Sequence, residues 1–81
     1  MKTTWYFDNI VLPGRPEVDV EACLSVLAAP MATEAQPNGR MRFWGEVPFG
    51  DSTRVLRVVT LEDGETIHNA FFDRRFRRQA Q

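Results

Sequence analysis

Apolar and polar positions along this chain repeat with a helical period in one short segment near the start and alternate with period two over most of the second half. Val20, Cys23, Leu24 and Leu27 stand at i, i+3, i+4 and i+7 behind Asp19, a good N-cap, and Pro30 stops the run. This predicts a short amphipathic helix with one apolar stripe, entered through a Val18–Cys23 hydrophobic staple. Before it, Trp5-Tyr6-Phe7 and Ile10-Val11-Leu12 flank Asp8-Asn9. That richness in aromatic and β-branched residues predicts a strand bent at its middle and ended by Pro13-Gly14-Arg15-Pro16.

After the helix, residues 32–36 and 40–47 bracket Pro37-Asn38-Gly39, a hairpin turn in which Pro presets φ and Gly accepts a positive φ. Met41, Phe43, Gly45 and Val47 alternate with Arg40, Arg42, Trp44 and Glu46, so one face is apolar and the other sets guanidinium groups around an indole. Residues 48–52 form the next turn. Residues 53–61 are mostly apolar on both faces, as in a central strand, and Asp63-Gly64 turns the chain into a last strand over residues 65–73. The expected fold is therefore a single small α+β domain, residues 1–81. It has an N-terminal strand, one short helix and a mainly antiparallel four-strand meander (β-α-β-β-β-β), and it ends in an arginine-rich tail, residues 74–81.

Composition adds constraints. An 81-residue chain with 43% hydrophobic and 26% charged residues fits one globular core and neither a disordered chain nor a coiled coil. The first residues lack the uninterrupted apolar core of a signal peptide, no apolar run approaches bilayer length, and a single cysteine fits a reducing compartment, so the expected location is the cytoplasm with no membrane partner. One cysteine and one histidine leave no zinc spacing, and no glycine-rich phosphate loop or nucleophile elbow appears, so neither a metal nor a cofactor is expected. The net charge is -1, but its distribution is uneven. Up to Gly39 two basic residues stand against five acidic ones, whereas from Arg40 onward eight arginines stand against six acidic residues. An anion site, if present, belongs to the second half.

Arg42, Arg57 and His68 fall on three successive predicted strands and can share one face if the register permits. Two guanidinium groups and an imidazole are what phosphodiester chemistry would use, the first to neutralise developing negative charge and the second to move a proton near neutral pH. The plain alternative is arginines snorkelling over apolar sheet surface beside a solvent-facing histidine. Trp44 shares the arginine face, where it can stack a base or take a cation-π contact from a neighbouring arginine. Arg74-Arg75-Phe76-Arg77-Arg78 reads as a phosphate-binding or acid-pairing tail with Phe76 docked on the domain, or as a solvated terminus. The Phe71-Phe72 pair and the Trp5-Tyr6-Phe7 run read as core and sheet packing, and Cys23 as part of the buried helix stripe.

Three stretches carry a resemblance: Gln36-Pro37-Asn38-Gly39-Arg40-Met41-Arg42-Phe43-Trp44-Gly45, then Leu56-Arg57-Val58-Val59-Thr60-Leu61-Glu62-Asp63-Gly64-Glu65-Thr66, then His68-Asn69-Ala70-Phe71-Phe72-Asp73-Arg74-Arg75-Phe76. They resemble a family of small, largely uncharacterised bacterial proteins that looks like a distant relation of the RelE/ParE toxins of type II toxin-antitoxin systems. The resemblance implies a toxin held silent by a small antitoxin, and metal-free endoribonuclease activity on mRNA in which the ribose 2′-OH attacks the adjacent phosphate. Arg42, Arg57 and His68 would then be catalytic, with Arg40, Trp44, Arg74 and Arg75 binding RNA. The chain departs from such toxins in its slight acidity, its single lysine and its one predicted helix where two are usual. Two other readings remain open, a non-catalytic protein-interaction module, homodimeric or not, and a gyrase-directed inhibitor of the ParE kind.

Overall fold

A computed structural model describes residues 2–76 as two helices followed by a four-stranded antiparallel sheet. The first helix, α1, is a π-helical turn over Phe7–Val11 that continues as an α-helical turn over Leu12–Gly14. The second, α2, spans Val20–Ala28. The strands are β1 (Ala32–Ala35), β2 (Met41–Phe49), β3 (Ser52–Thr60) and β4 (Ile67–Phe72), in spatial order β1-β2-β3-β4. The α+β class and the meander agree with expectation. The N-terminal strand does not form.

A helix replaces that strand because its residues bury with helical rather than alternating spacing. Phe7 and Val11, four apart, are in the core, while Trp5 is 71% exposed and Tyr6 and Ile10 also face outward. Thr4 starts the helical run by accepting the Phe7 N–H on Oγ1 at 3.1 Å, the N-cap to N3 bond. The Leu12 N–H reaches back five residues to the Phe7 carbonyl. Such a widened turn gives room to the ring of Pro13, which has no N–H to continue the ladder. Only the start of the segment behaves as a strand, where Thr3 bridges Ile67 in parallel, with Ile67 N–H on the Lys2 carbonyl at 2.9 Å and Thr4 N–H on the Ile67 carbonyl at 3.0 Å.

Helix α2 starts where predicted, with the Asp19 side chain accepting from Ala22 N–H at 2.7 Å. Its buried stripe is rotated from the predicted one. Cys23 and Val26 are buried, Val20 and Leu27 pack against the core, and Leu24 is 41% exposed. The hairpin turn forms with Gly39 at φ 92°, and Gly64 turns at φ 71° where the Asp63 side chain accepts from the Glu65 and Thr66 amides. Among the described residues no helix is long and apolar enough to cross a membrane.

Register separates the sheet into two faces. Phe43 pairs with Val58 and Val58 with Ala70, while Gly45 pairs with Leu56 and Leu56 with Phe72, and this face lies under the helices. Arg42, Val59 and Asn69 form one row of the opposite face, and Trp44, Arg57 and Phe71 form the next. Val26 of α2 sits so close to β2 that a Cβ placed on Gly45 would lie 3.1 Å from its Cγ2. Gly45→Ala should destabilise the protein by about 1–2 kcal/mol in urea unfolding. Combined with Val26→Ala it should cost less than the sum of the two single changes, since the second removes the clash.

Candidate functional site

The face turned away from the helices carries a recess of about 380 Å³ lined by Tyr6, Gln36, Asn38, Arg40, Arg42, Arg57, Val59, His68, Asn69 and Phe71. The three residues singled out as catalytic candidates, and Arg40 with them, thus converge on one surface. No carboxylate is among the lining residues.

His68 reaches this face through a β-bulge. Val59 pairs with Asn69 but Thr60 pairs with Ile67, so His68 is an extra residue in β4. Strict alternation from buried Ala70 would send His68 towards the core. The bulge instead lets the consecutive residues His68 and Asn69 both line the recess while Ile67 stays buried. The imidazole stacks on Tyr6, with centroids 5.0 Å apart, and its Nδ1 lies 2.9 Å from Thr4 Oγ1. The same hydroxyl accepts from Phe7 N–H, and through its second lone pair or its own proton it meets Nδ1 in either neutral tautomer, which leaves Nε2 as the ring nitrogen free to face the recess. Burial, and then the nearby positive charge of Arg40, push the His68 pKa below its ordinary value, so the ring is neutral at pH 7.

The arginines are held differently. Arg42 Nη1 pairs with Glu34 Oε1 at 2.7 Å, across the β1–β2 register, and Gln36, with its amide oxygen turned inward, accepts from Arg42 Nε and Nη2 at 3.2 and 3.0 Å. The Arg57 guanidinium lies 4.4 Å from the Phe71 ring centroid and 5.8 Å from that of Trp44, and its buried Nε has no hydrogen-bond partner. The nearest carboxylate oxygen, Asp73 Oδ2, stands 3.9 Å away. Burial works against the Asp73 charge, but the Trp44 indole N–H, the Arg75 amide, Arg57 and the Phe76 amide outweigh it and lower the carboxyl's pKa. Arg40 has no ion pair or side-chain hydrogen bond among the described residues, and it is the most available cation of the recess.

Trp44 does not offer a free stacking surface. It is 7% exposed, lies under Phe76 with centroids 5.1 Å apart, and donates its indole N–H to Asp73 Oδ2 at 3.0 Å. The expected cation-π contact is made by Arg57, and Phe76 docks on the domain as anticipated. Arg74 lines a separate recess with Arg54, Val55, Asp73 and Phe76, and Arg75 is exposed, so neither joins the arginine cluster. Arg77 and Arg78 lie outside the described residues. Asp73 makes its side-chain contacts with Trp44 and Arg57.

Tyr6, Gln36, Asn38, Asn69 and Phe71 were not among the sequence candidates. Asn38 belongs to a legible turn, and Asn69 and Phe71 follow from the alternation of β4, but Tyr6 arrives only through the unpredicted helix. Arg15, reaching in from the end of α1, donates from Nη1 to Asn69 Oδ1 at 2.8 Å and to the Ala70 carbonyl at 3.0 Å. Cys23 contributes no chemistry here, since burial, with Asp19 adding to it, pushes its thiol up to about 12. No group of three or more His, Cys, Asp or Glu side chains among the described residues is placed to hold a metal ion.

The His68 environment gives a direct measurement. Imidazole resonances followed by NMR against pH should titrate below the ordinary value of 6.5, and Arg40→Gln should move the midpoint upward. A midpoint at or above 6.5 in the unmodified protein would remove the assignment of a desolvated ring beside a cation. Compared with protein families, curated proteins and solved structures, the chain matches none of them.

Proposed function

We propose that this protein is an RNA-binding toxin of the kind found in bacterial toxin-antitoxin pairs, and that the arginine recess holds an RNA phosphodiester and promotes its cleavage. The observation that supports it is the convergence of Arg40, Arg42, Arg57 and a neutral His68 on a recess with no lining carboxylate. Several cations already placed around one site stabilise a developing oxyanion without having to be reorganised as the charge forms.

The reaction is internal transesterification. The ribose 2′-oxygen attacks the adjacent phosphorus, the bond from phosphorus to the 5′-oxygen breaks, and the products are a 2′,3′-cyclic phosphate and a 5′-hydroxyl. His68 takes the 2′-hydroxyl proton on Nε2, in the tautomer whose Nδ1–H is donated to Thr4, and water protonates the departing 5′-oxygen. Arg57, fixed between Phe71 and Trp44, and Arg42, fixed by Glu34 and Gln36, face the phosphorane charge without having to be ordered by the substrate. An antitoxin would act by covering this face.

A second reading draws on β1, a four-residue edge strand with three exposed residues. An open edge of this kind suits pairing with a protein partner or a second copy, with the arginines serving recognition only.

Inducible expression in a heterologous bacterium should arrest growth, and both Arg57→Ala and His68→Ala should abolish the arrest while remaining folded by circular dichroism. The purified protein should leave 2′,3′-cyclic phosphate ends on single-stranded RNA. Unimpaired growth with intact RNA would favour the β1 reading, and growth arrest with intact RNA would favour a gyrase-directed inhibitor.

A further inference from the structure

The side-chain amides of the recess share an orientation that narrows what it can bind. The oxygen of Asn38 accepts the Arg40 backbone N–H at 3.0 Å. That of Asn69 accepts from Arg15 Nη1 at 2.8 Å and from Ala70 N–H at 2.9 Å. That of Gln36, turned inward, accepts from two nitrogens of Arg42. Each amide oxygen is therefore committed to an internal donor, and what these side chains have left to offer is N–H. Nδ1 of His68 is engaged by Thr4, which leaves Nε2 as the ring's free nitrogen, a donor in one neutral tautomer and an acceptor in the other. The Arg40 guanidinium only donates, and the Tyr6 hydroxyl both donates and accepts.

A surface whose free side-chain polar atoms are mostly donors discriminates by hydrogen-bond type. Each RNA base presents at least one N–H on its pairing edge, for which the lining side chains offer only the Tyr6 hydroxyl and one tautomer of His68 as free acceptors, so most such groups would lose their bond to water. Phosphate oxygens only accept. We infer that the recess is a donor-rich phosphate seat, in which the N–H groups of Gln36, Asn38 and Asn69 join Arg40 in holding the phosphate, so that RNA is taken up by its backbone without selection of a base. This deepens the RNA-binding reading above and rests on it for the identity of the ligand, though not for the chemistry of the seat.

Arg15 acquires a part in recognition through this arrangement. It reaches Asn69 from outside the lining, fixes which way that amide faces, and caps the outward backbone of the edge strand at the Ala70 carbonyl. Asp in place of Asn69 would keep the oxygen that Arg15 and Ala70 use, while replacing the outward N–H₂ by a second carboxylate oxygen. The fold is retained and the recognition is reversed.

Titration of the full chain with inorganic phosphate, followed through the ¹⁵N side-chain amide resonances, should shift Gln36, Asn38 and Asn69, whereas uridine and cytidine should not. Asn69→Asp should weaken phosphate binding by about tenfold or more without lowering the melting temperature. Thr53→Asp adds the same charge at an exposed position roughly 20 Å along β3 and should leave binding unchanged. Oligouridylate and oligocytidylate of equal length should bind within about threefold of each other. The inference is overturned if phosphate leaves the three amides unmoved, if Asn69→Asp binds phosphate as well as the unmodified chain, or if one base is preferred more than about tenfold. Phosphate binding with these amide shifts but no RNA binding would instead uphold the seat and remove the RNA reading.

Discussion

Everything on the arginine face depends on the register between β2 and β3. Side chains alternate along a strand, so a slip of one residue would turn either Arg42 and Trp44 or Arg57 towards the helices, carry Phe43 or Val58 and Leu56 into solvent, and split the arginines between opposite faces. Burying those guanidinium groups without partners would cost several kcal/mol each, far more than the slip could recover elsewhere. The contact of Val26 with Gly45 adds a steric condition, because a Cβ on residue 45 would crowd Val26 and press α2 away from β2. The apolar face thus sets the position of the charged one.

Carboxylates are distributed so that they hold the arginines in place without occupying the recess. Glu34 reaches Arg42 from the edge strand, and Asp73 lies beside Arg57 from just beyond β4, yet neither lines the recess. Arg57 gains more from its two aromatic neighbours than from Asp73, since at 3.9 Å its Nε makes no hydrogen bond. A buried donor left in that state is a local expense in stability. It is consistent with a side chain placed for what it presents to the recess rather than for the strength of its own contacts.

The sheet half of the chain was legible because its signals are local. The Pro37-Asn38-Gly39 and Asp63-Gly64 turns set the hairpins, and the alternation from Arg40 to Val47 named both faces of β2 in advance. The N-terminal segment was misread because Trp5-Tyr6-Phe7 and Ile10-Val11 have high strand propensity, whereas their burial at positions 7 and 11 is decided by packing. A local sign of the helix was present in Thr4 as a possible N-cap, three residues before a buried aromatic. The bulge at His68 left no such sign. Nothing in Ile67-His68-Asn69-Ala70 announces that two neighbours will share a face, and the shift arises from pairing with β3. Trp44 was correctly placed on the arginine face, but the stacking of Phe76 over it depends on where the chain returns after β4.

The misread segment also carries the tightest link between fold and chemistry. Thr4 uses one hydroxyl oxygen to receive the first turn of α1 and to meet Nδ1 of His68, and Tyr6 of that same turn stacks on the imidazole. Had residues 5–12 been a strand, neither contact could form in this way, and the ring would lack both its orienting partner and the aromatic surface that removes it from water. The low pKa of His68 arises first from that desolvation and then from Arg40, so the N-terminal helix and the β1–β2 turn together keep the ring neutral. A bound phosphate would oppose both effects by bringing negative charge to the ring and neutralising Arg40. His68 would then hold a proton more tightly with its ligand than without it, and by linkage anion affinity should rise as pH falls towards the ring's titration range.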